Sequence, residues 1–234
     1  MAEKQTPIYD IARSQGAAFV DVGGWLVVDA FGGEQKSIPA MPRDVALFDR
    51  SARAKVLVDG AAASAVVERA WDVPQLAVNG GAVHAQGAVY RLRHDRYFLS
   101  APPGLEATLE STTARAMRQE DGLVTITDVT HGQAELWLLG PAAAELLSRL
   151  CGLDFHPASF PNLTARESSV AKTAQLVIRC DAARQRAYAI VGARSLGAYL
   201  WQTIIEAAHD LNLLLCGEAL LLALESSKER DAGS

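Results

Sequence analysis

Residues 88–99, AVYRLRHDRYFL, constrain the fold more than any other stretch of this chain. Apolar and polar positions alternate through two short runs on either side of His94-Asp95, the pattern of an antiparallel hairpin closed by a tight polar turn. Pro102-Pro103-Gly104 ends the hairpin, and residues 105–119 read as a helix. The same order then returns. Strands are expected at 123–129 and 135–139, and Gly140-Pro141 opens a helix to about 150, with proline where its missing N–H costs nothing. A second hairpin, 174–180 with 187–191, surrounds the polar DAARQR turn. The helix at 196–209 places Leu200, Trp201, Ile204 and Ile205 on one face.

Upstream, residues 17–28 read as two strands broken at Gly23-Gly24, and 55–58 as a strand ending at the Asp59-Gly60 turn. Residues 61–71 form a helix by propensity and period. Strand-rich units alternating with helices, without a regular βαβ rhythm, indicate an α+β fold. No Pro/Ser-rich linker cuts the chain. The expectation is one domain over 1–226, with subdomains at roughly 1–120 and 121–226, and a polar tail at 227–234.

Half of the 234 residues are hydrophobic, ample for a core of its own. A net charge of −5 with no run of five like charges weighs against nucleic acid, which needs a basic face. The longest apolar stretch, 211–224, is interrupted by Asn212, Gly217 and Glu218, so no membrane span is expected. The N-terminus lacks a secretory layout, which leads to an expected cytoplasmic location. Cys151, Cys180 and Cys216 are odd in number and widely spaced, which suits small buried side chains rather than disulfides or a metal site. The histidines share no metal-ligand spacing, and Asp128-x-x-His131 reads as a turn. The four tryptophans fall on apolar faces and are expected in the core.

Three stretches, in order, resemble the folate-binding part of the glycine-cleavage T-protein (aminomethyltransferase) family. They are PIYDIARSQGAAFVDVGGW (7–25), VALFDRSARAKVLVDGAAA (45–63) and VTITDVTHGQAELWLLGPAAAELLSRLCGLD (124–154). The Gly-Pro-x-Ala helix start of the third is characteristic of the superfamily. From there to Trp201 the chain is most similar to the gamma subunit of heterotetrameric sarcosine oxidase. The Lys-Gly-Cys-Tyr-x-Gly-Gln motif of the iron–sulfur maturation relative is absent. The resemblance implies two interlocked, pseudo-symmetric α+β subdomains around a central folate pocket. It also implies that the chain stops about where the family's C-terminal barrel would begin.

The resemblance further implies that catalytic acids are missing. The two acidic positions before the first hairpin fall on Ala85 and Gln86, and those expected near the second fall on Gln185 and Ala189, leaving Asp181 nearby. A carboxylate suits both the stabilisation of a cationic one-carbon unit and the pterin's N–C–N edge. The candidate ligand-binding residues are Gln86, Tyr90, Ser100, Arg179 and Tyr188, with tetrahydrofolate as the implied cofactor. Arg50 and Arg53 stand in a loop that faces the pocket in the family, either as surface charge or as contacts to an anion or carboxylate. The leading expectation is a non-catalytic or weakly folate-binding subunit working with flavin-dependent oxidase subunits of the sarcosine and dimethylglycine class. The alternatives are a stand-alone tetrahydrofolate-dependent transferase and a ligand-free scaffold. The apolar stretch CGEALLLAL (216–224) would be uncovered in a chain without the barrel and is read as a partner surface.

Overall fold

The structure is a computed structural model describing residues 4–32, 44–182 and 184–223; the expected tail at 227–234 lies outside these. The N-terminal part holds β1 (Lys4–Gln5), α1 (Tyr9–Ser14), β2 (Ala17–Val22), β3 (Trp25–Phe31) and β4 (Val45–Asp49). Then come β5 (Ala54–Gly60), α2 (Ala63–Trp71), β6 (Gly81–His84), β7 (Gly87–Arg93), β8 (Arg96–Ala101) and α3 (Glu106–Arg115). The later part holds β9 (Val124–Asp128), β10 (Gln133–Leu139), α4 (Ala143–Leu150) and β11 (Ala165–Val170). It ends with β12 (Thr173–Arg179), β13 (Ala187–Ala193), α5 (Gly197–Ala207) and β14 (Leu213–Cys216). The class is α+β, strand-rich, with no closed barrel among the described residues.

Two sheets form the frame. One runs β6-β7-β8-β5-β9, the other β11-β12-β13-β10-β4-β14, and β1-β3-β2 makes a small third sheet. Each large sheet contains a strand from the far side of the chain. β9 pairs with β5 in the five-stranded sheet, while β4 lies between β10 and β14 in the six-stranded one. The interlock is built by hydrogen bonds, not by side-chain packing alone.

The period-two alternation of the hairpin decides what faces what. Val89, Tyr97 and Leu99 join α2 and α3 in one core through Val66, Val67, Trp71 and Leu109. Tyr90, Leu92 and Phe98 point the other way, into a second apolar layer with Leu176, Ile178, Ala189 and Val191 of the six-stranded sheet. The far face of that sheet carries Leu136, Leu138, Val177 and Tyr188, covered by Leu146 and Leu147 of α4 and Leu200, Trp201 and Ile204 of α5. The order is helices, sheet, sheet, helices.

Most expected elements form close to their expected bounds, with trimmed ends. The helix at 105–119 stops at Arg115, and a 3-10 turn follows at Gln119–Asp121. Five strands were not anticipated: β1, β4, β6, β11 and β14. β4 is buried on every residue, so it has no alternation to read. β11 (ARESSV) is polar because it is a sheet edge.

The apolar stretch 216–224 needs a correction. Within its described part, Cys216, Leu220 and Leu221 are buried against Ala46, Phe48, Leu139 and Ala187, while Ala219 and Leu222 are exposed. The stretch covers the chain's own six-stranded sheet. Gly217 makes this possible: a Cβ there would lie 2.3 Å from the Val28 carbonyl oxygen and 2.4 Å from that of Asp29. No helix among the described residues is long and apolar enough to cross a membrane. The three cysteines are free, and no cluster of ligating side chains for a metal occurs among the described residues.

Candidate functional site

Between the two large sheets, beside the apolar layer they share, lies a cavity of about 480 Å³. That volume suits a small-molecule ligand. Tyr90 and Ser100 line it because of strand parity. Ala88 pairs with Ser100 across β7 and β8, and Tyr90 lies two residues along on the same face. Gln86, in the turn between β6 and β7, lies at the wall with His84 and Ala85. These three candidates are brought together.

Arg179 and Tyr188 are not. They pair with each other across β12 and β13, so they share one face, and the neighbouring pair Ile178 and Ala189 holds the cavity face. Tyr188 is fully buried against Phe155, edge-on at 5.5 Å, and its hydroxyl has no partner. Arg179 acts on the wall indirectly. Its Nε and Nη2 donate to the two Asp181 carboxylate oxygens at 2.9 and 2.8 Å, and its Nη1 donates to the Phe160 carbonyl at 2.8 Å. Asp181 itself reaches the cavity, and its N–H donates to Asn162 Oδ1 at 2.9 Å.

Glu135 occupies the inner wall, and nothing in the sequence reading singled it out. It is 2% exposed. Its Oε1 accepts the Trp137 indole N–H at 2.6 Å and lies 3.3 Å from Arg53 Nε. Its Oε2 lies 3.4 Å from Lys55 Nζ, which also donates to the Ser51 and Arg53 carbonyls at 3.0 and 2.8 Å. Arg53 donates from Nε and Nη2 to Ser100 Oγ at 3.3 and 3.1 Å. Arg50 and Arg53 both stand over the Trp137 ring, at 5.2 and 5.5 Å from its centroid. Arg50 also meets Glu218 at 3.8 Å. Neither arginine is exposed surface charge: each meets a glutamate of this chain. Trp137, expected in the core, is a cavity wall and a platform for cations.

Burial sets the proton affinities here. It lowers the Lys55 ammonium below the usual lysine range, while Glu135 pulls it back up. Burial raises the Tyr90 phenol, and the Cys180 thiol is pushed up to about 12 by burial and then by the Glu135 charge. Both stay protonated at neutral pH. Burial also raises Asp49, against hydrogen bonds from the Ser51 N–H at 3.0 Å and hydroxyl at 2.6 Å. A raised native pKa means that stability present below the ordinary carboxylate range is lost as pH rises through the native value. Asp49→Asn, which keeps an acceptor oxygen, is expected to flatten that part of the stability profile. Urea midpoints across acid to neutral pH check this; an unchanged slope would place the ionisation elsewhere.

The remaining sequence candidates are structural. His131 stacks on Trp25 with ring centroids 4.7 Å apart, and Asp128 accepts the Thr130 N–H at 2.8 Å, closing the expected turn.

Comparison with known proteins gives this architecture its place. Residues 8–227 match the GCVT N-terminal domain. The chain belongs to that family. An aminomethyltransferase of Shouchella clausii is 25% identical over 228 residues, 91% of this GCVT-type chain and 60% of the relative. Sarcosine oxidase subunit alpha of Rhizobium meliloti is 24% identical over 252 residues, 96% of this chain and 25% of the relative. The chain spans between a quarter and about three fifths of the length of such curated relatives. Among solved structures, the glycine cleavage system aminomethyltransferase T of Bartonella henselae superposes with a TM-score of 0.77 at 19% identity, covering 94% of this chain and 61% of that one. The heterotetrameric sarcosine oxidase of Corynebacterium sp. U-96 gives 0.68 at 23% identity, covering 88% and 95%. At these identities the structures show the shared GCVT fold.

Proposed function

We propose that this GCVT-type chain is a non-catalytic, weakly folate-binding subunit, acting beside flavin-dependent oxidase subunits that release one-carbon units from N-methylated amino acids. One observation carries the reading: both acids facing the cavity are already engaged inside the protein. Glu135 is held by Arg53, Lys55 and Trp137, and Asp181 by both arms of Arg179. A carboxylate already paired with cations of its own chain is poorly placed to steady a cationic one-carbon unit or relay its proton. The cavity volume and its aromatic and aliphatic walls fit a flat heterocycle. Asp181 and Asn162 are the groups that would meet the polar edge of a reduced pterin, and Tyr90 and Trp137 the groups that would pack beside it. When bound, tetrahydrofolate supplies the nitrogen that captures the one-carbon unit; this chain's residues would bind and orient it. The gamma-subunit resemblance and the sarcosine oxidase relatives support the partner class.

Two measurements test the reading. Calorimetric titration with 5-formyl-tetrahydrofolate is expected to give binding near micromolar, about −8 kcal/mol, weakened by Asp181→Asn. Co-expression with the oxidase subunits is expected to give a stable complex. A stand-alone chain that transfers a one-carbon unit to tetrahydrofolate without partners would overturn it and favour the transferase alternative.

A further inference from the structure

We propose that the inner end of the cavity is a carboxylate-binding subsite built by Arg53, Ser100 and Tyr90. The inference concerns the same cavity as the folate role and does not depend on it. Arg53 and the two hydroxyls line that end of the cavity, and the hydroxyl protons meet no protein acceptor among the described residues.

Ser100 is 5% exposed, and its oxygen receives two N–H groups from Arg53. A hydroxyl carries one proton. With its lone pairs directed at Arg53, that proton points away, and no protein acceptor meets it among the described residues. Tyr90 is 3% exposed on the same strand face, and burial keeps its phenol protonated; its hydroxyl likewise has no protein partner among the described residues. Arg53 donates from Nε and Nη2 to Ser100, lies 3.3 Å from Glu135 and lines the cavity. A guanidinium N–H beside two hydroxyl donors is the arrangement that a carboxylate accepts.

Charge balance agrees. Arg50 meets Glu218 and Arg179 meets Asp181. At the inner wall two cations, Arg53 and Lys55, share the single carboxylate of Glu135. Asp49, the next acid towards Lys55, is driven by burial towards its neutral form. Two basic side chains thus meet one carboxylate at the floor, and a ligand carboxylate there would take its hydrogen bonds from Arg53 and the two hydroxyls. The walls beyond it are apolar, with Leu105, Leu163 and Ile178 among them, so the ligand is a carboxylate on a small apolar or aromatic body. Two sources share that chemistry: a small organic acid or amino acid, and the acid-bearing tail of a folate.

The test is calorimetry on the full chain at neutral pH with benzoate and its neutral isostere benzamide. Benzoate is expected to bind saturably and benzamide at least about tenfold more weakly, the worth of hydrogen bonds to a charged group. Tyr90→Phe, which removes a hydroxyl without a protein partner among the described residues, is expected to weaken benzoate at least about threefold with an unchanged urea midpoint; Ser100→Ala is expected to weaken it comparably and to lower the midpoint, because it takes an acceptor from Arg53. Displacement of benzoate by 5-formyl-tetrahydrofolate would assign the carboxylate to a folate; simultaneous binding would assign it to a separate small acid. Equal binding of benzoate and benzamide, no saturable benzoate binding, or indifference to both variants would each overturn the subsite. Loss of benzoate with folate binding intact sinks this inference alone. Benzoate binding without folate binding sinks the folate role alone.

Discussion

Replacing Glu135 with glutamine will destabilise the fold by about 3–5 kcal/mol, the cost of stripping one partner from a buried ion pair. Glutamine keeps the shape and an oxygen for the Trp137 and Arg53 N–H groups, so packing is not the issue. The loss falls on Lys55, whose side chain is fully enclosed and, among the described residues, has only the Ser51 and Arg53 carbonyls as hydrogen-bond acceptors besides Glu135. Adding Lys55→Met should return most of the loss, because two apolar groups of matched shape can replace a buried pair at little cost. The pH dependence has a definite sign. Lys55 has a lowered native pKa, so the native state loses stability as pH falls through it and regains stability as the ammonium deprotonates. Without Glu135 that effect deepens, and the Glu135→Gln defect should shrink towards high pH. Urea unfolding of the single and double variants gives the cycle. A single variant within about 1 kcal/mol of the parent, typical of an ordinary surface change, would refute the compensating role of Glu135.

Trp201→Ala should cost a similar amount, about 3–5 kcal/mol, by a different route. Trp201 is fully buried on α5 and stacks with Phe31 of β3, centroids 6.0 Å apart, so its loss opens a cavity where helix, small sheet and large sheet meet. Trp201→Phe separates volume from polarity. The indole N–H is buried without an acceptor, so phenylalanine removes an unsatisfied donor along with one ring. It should cost less than about 1.5 kcal/mol, near a conservative core swap. Thermal or urea unfolding checks both; equal losses for Ala and Phe would mean the site cannot collapse around the smaller ring.

The elements that alternate or carry a clear helical period were legible in the sequence: the β7–β8 hairpin, the β12–β13 hairpin, α4 and α5. β4 was not, because a strand buried on both faces is a short apolar run without a period. The site was half legible for a related reason. Gln86, Tyr90 and Ser100 reach the cavity wall, whereas Arg179 and Tyr188 sit one residue out of phase with it. Their chemistry was reasonable, but a strand has two faces, and only the Arg179–Tyr188 register tells which one meets the cavity. Glu135 carried a signal that could have been used: a lone acid in the otherwise apolar run AELWLL, with Lys55 equally out of place in AKVLV. Two misplaced charges of opposite sign on two strands are a reason to expect a buried pair.

The exchange of β4 and β9 between the sheets has a consequence for how the molecule comes into being. During synthesis, residues 45–49 emerge early but find their sheet neighbours only when 133–139 and 213–216 have followed. Such distant pairings must close large loops before they gain anything, which slows folding and leaves an apolar strand waiting in the open. The nascent chain therefore completes its six-stranded sheet only at the end, once its last described strand has arrived.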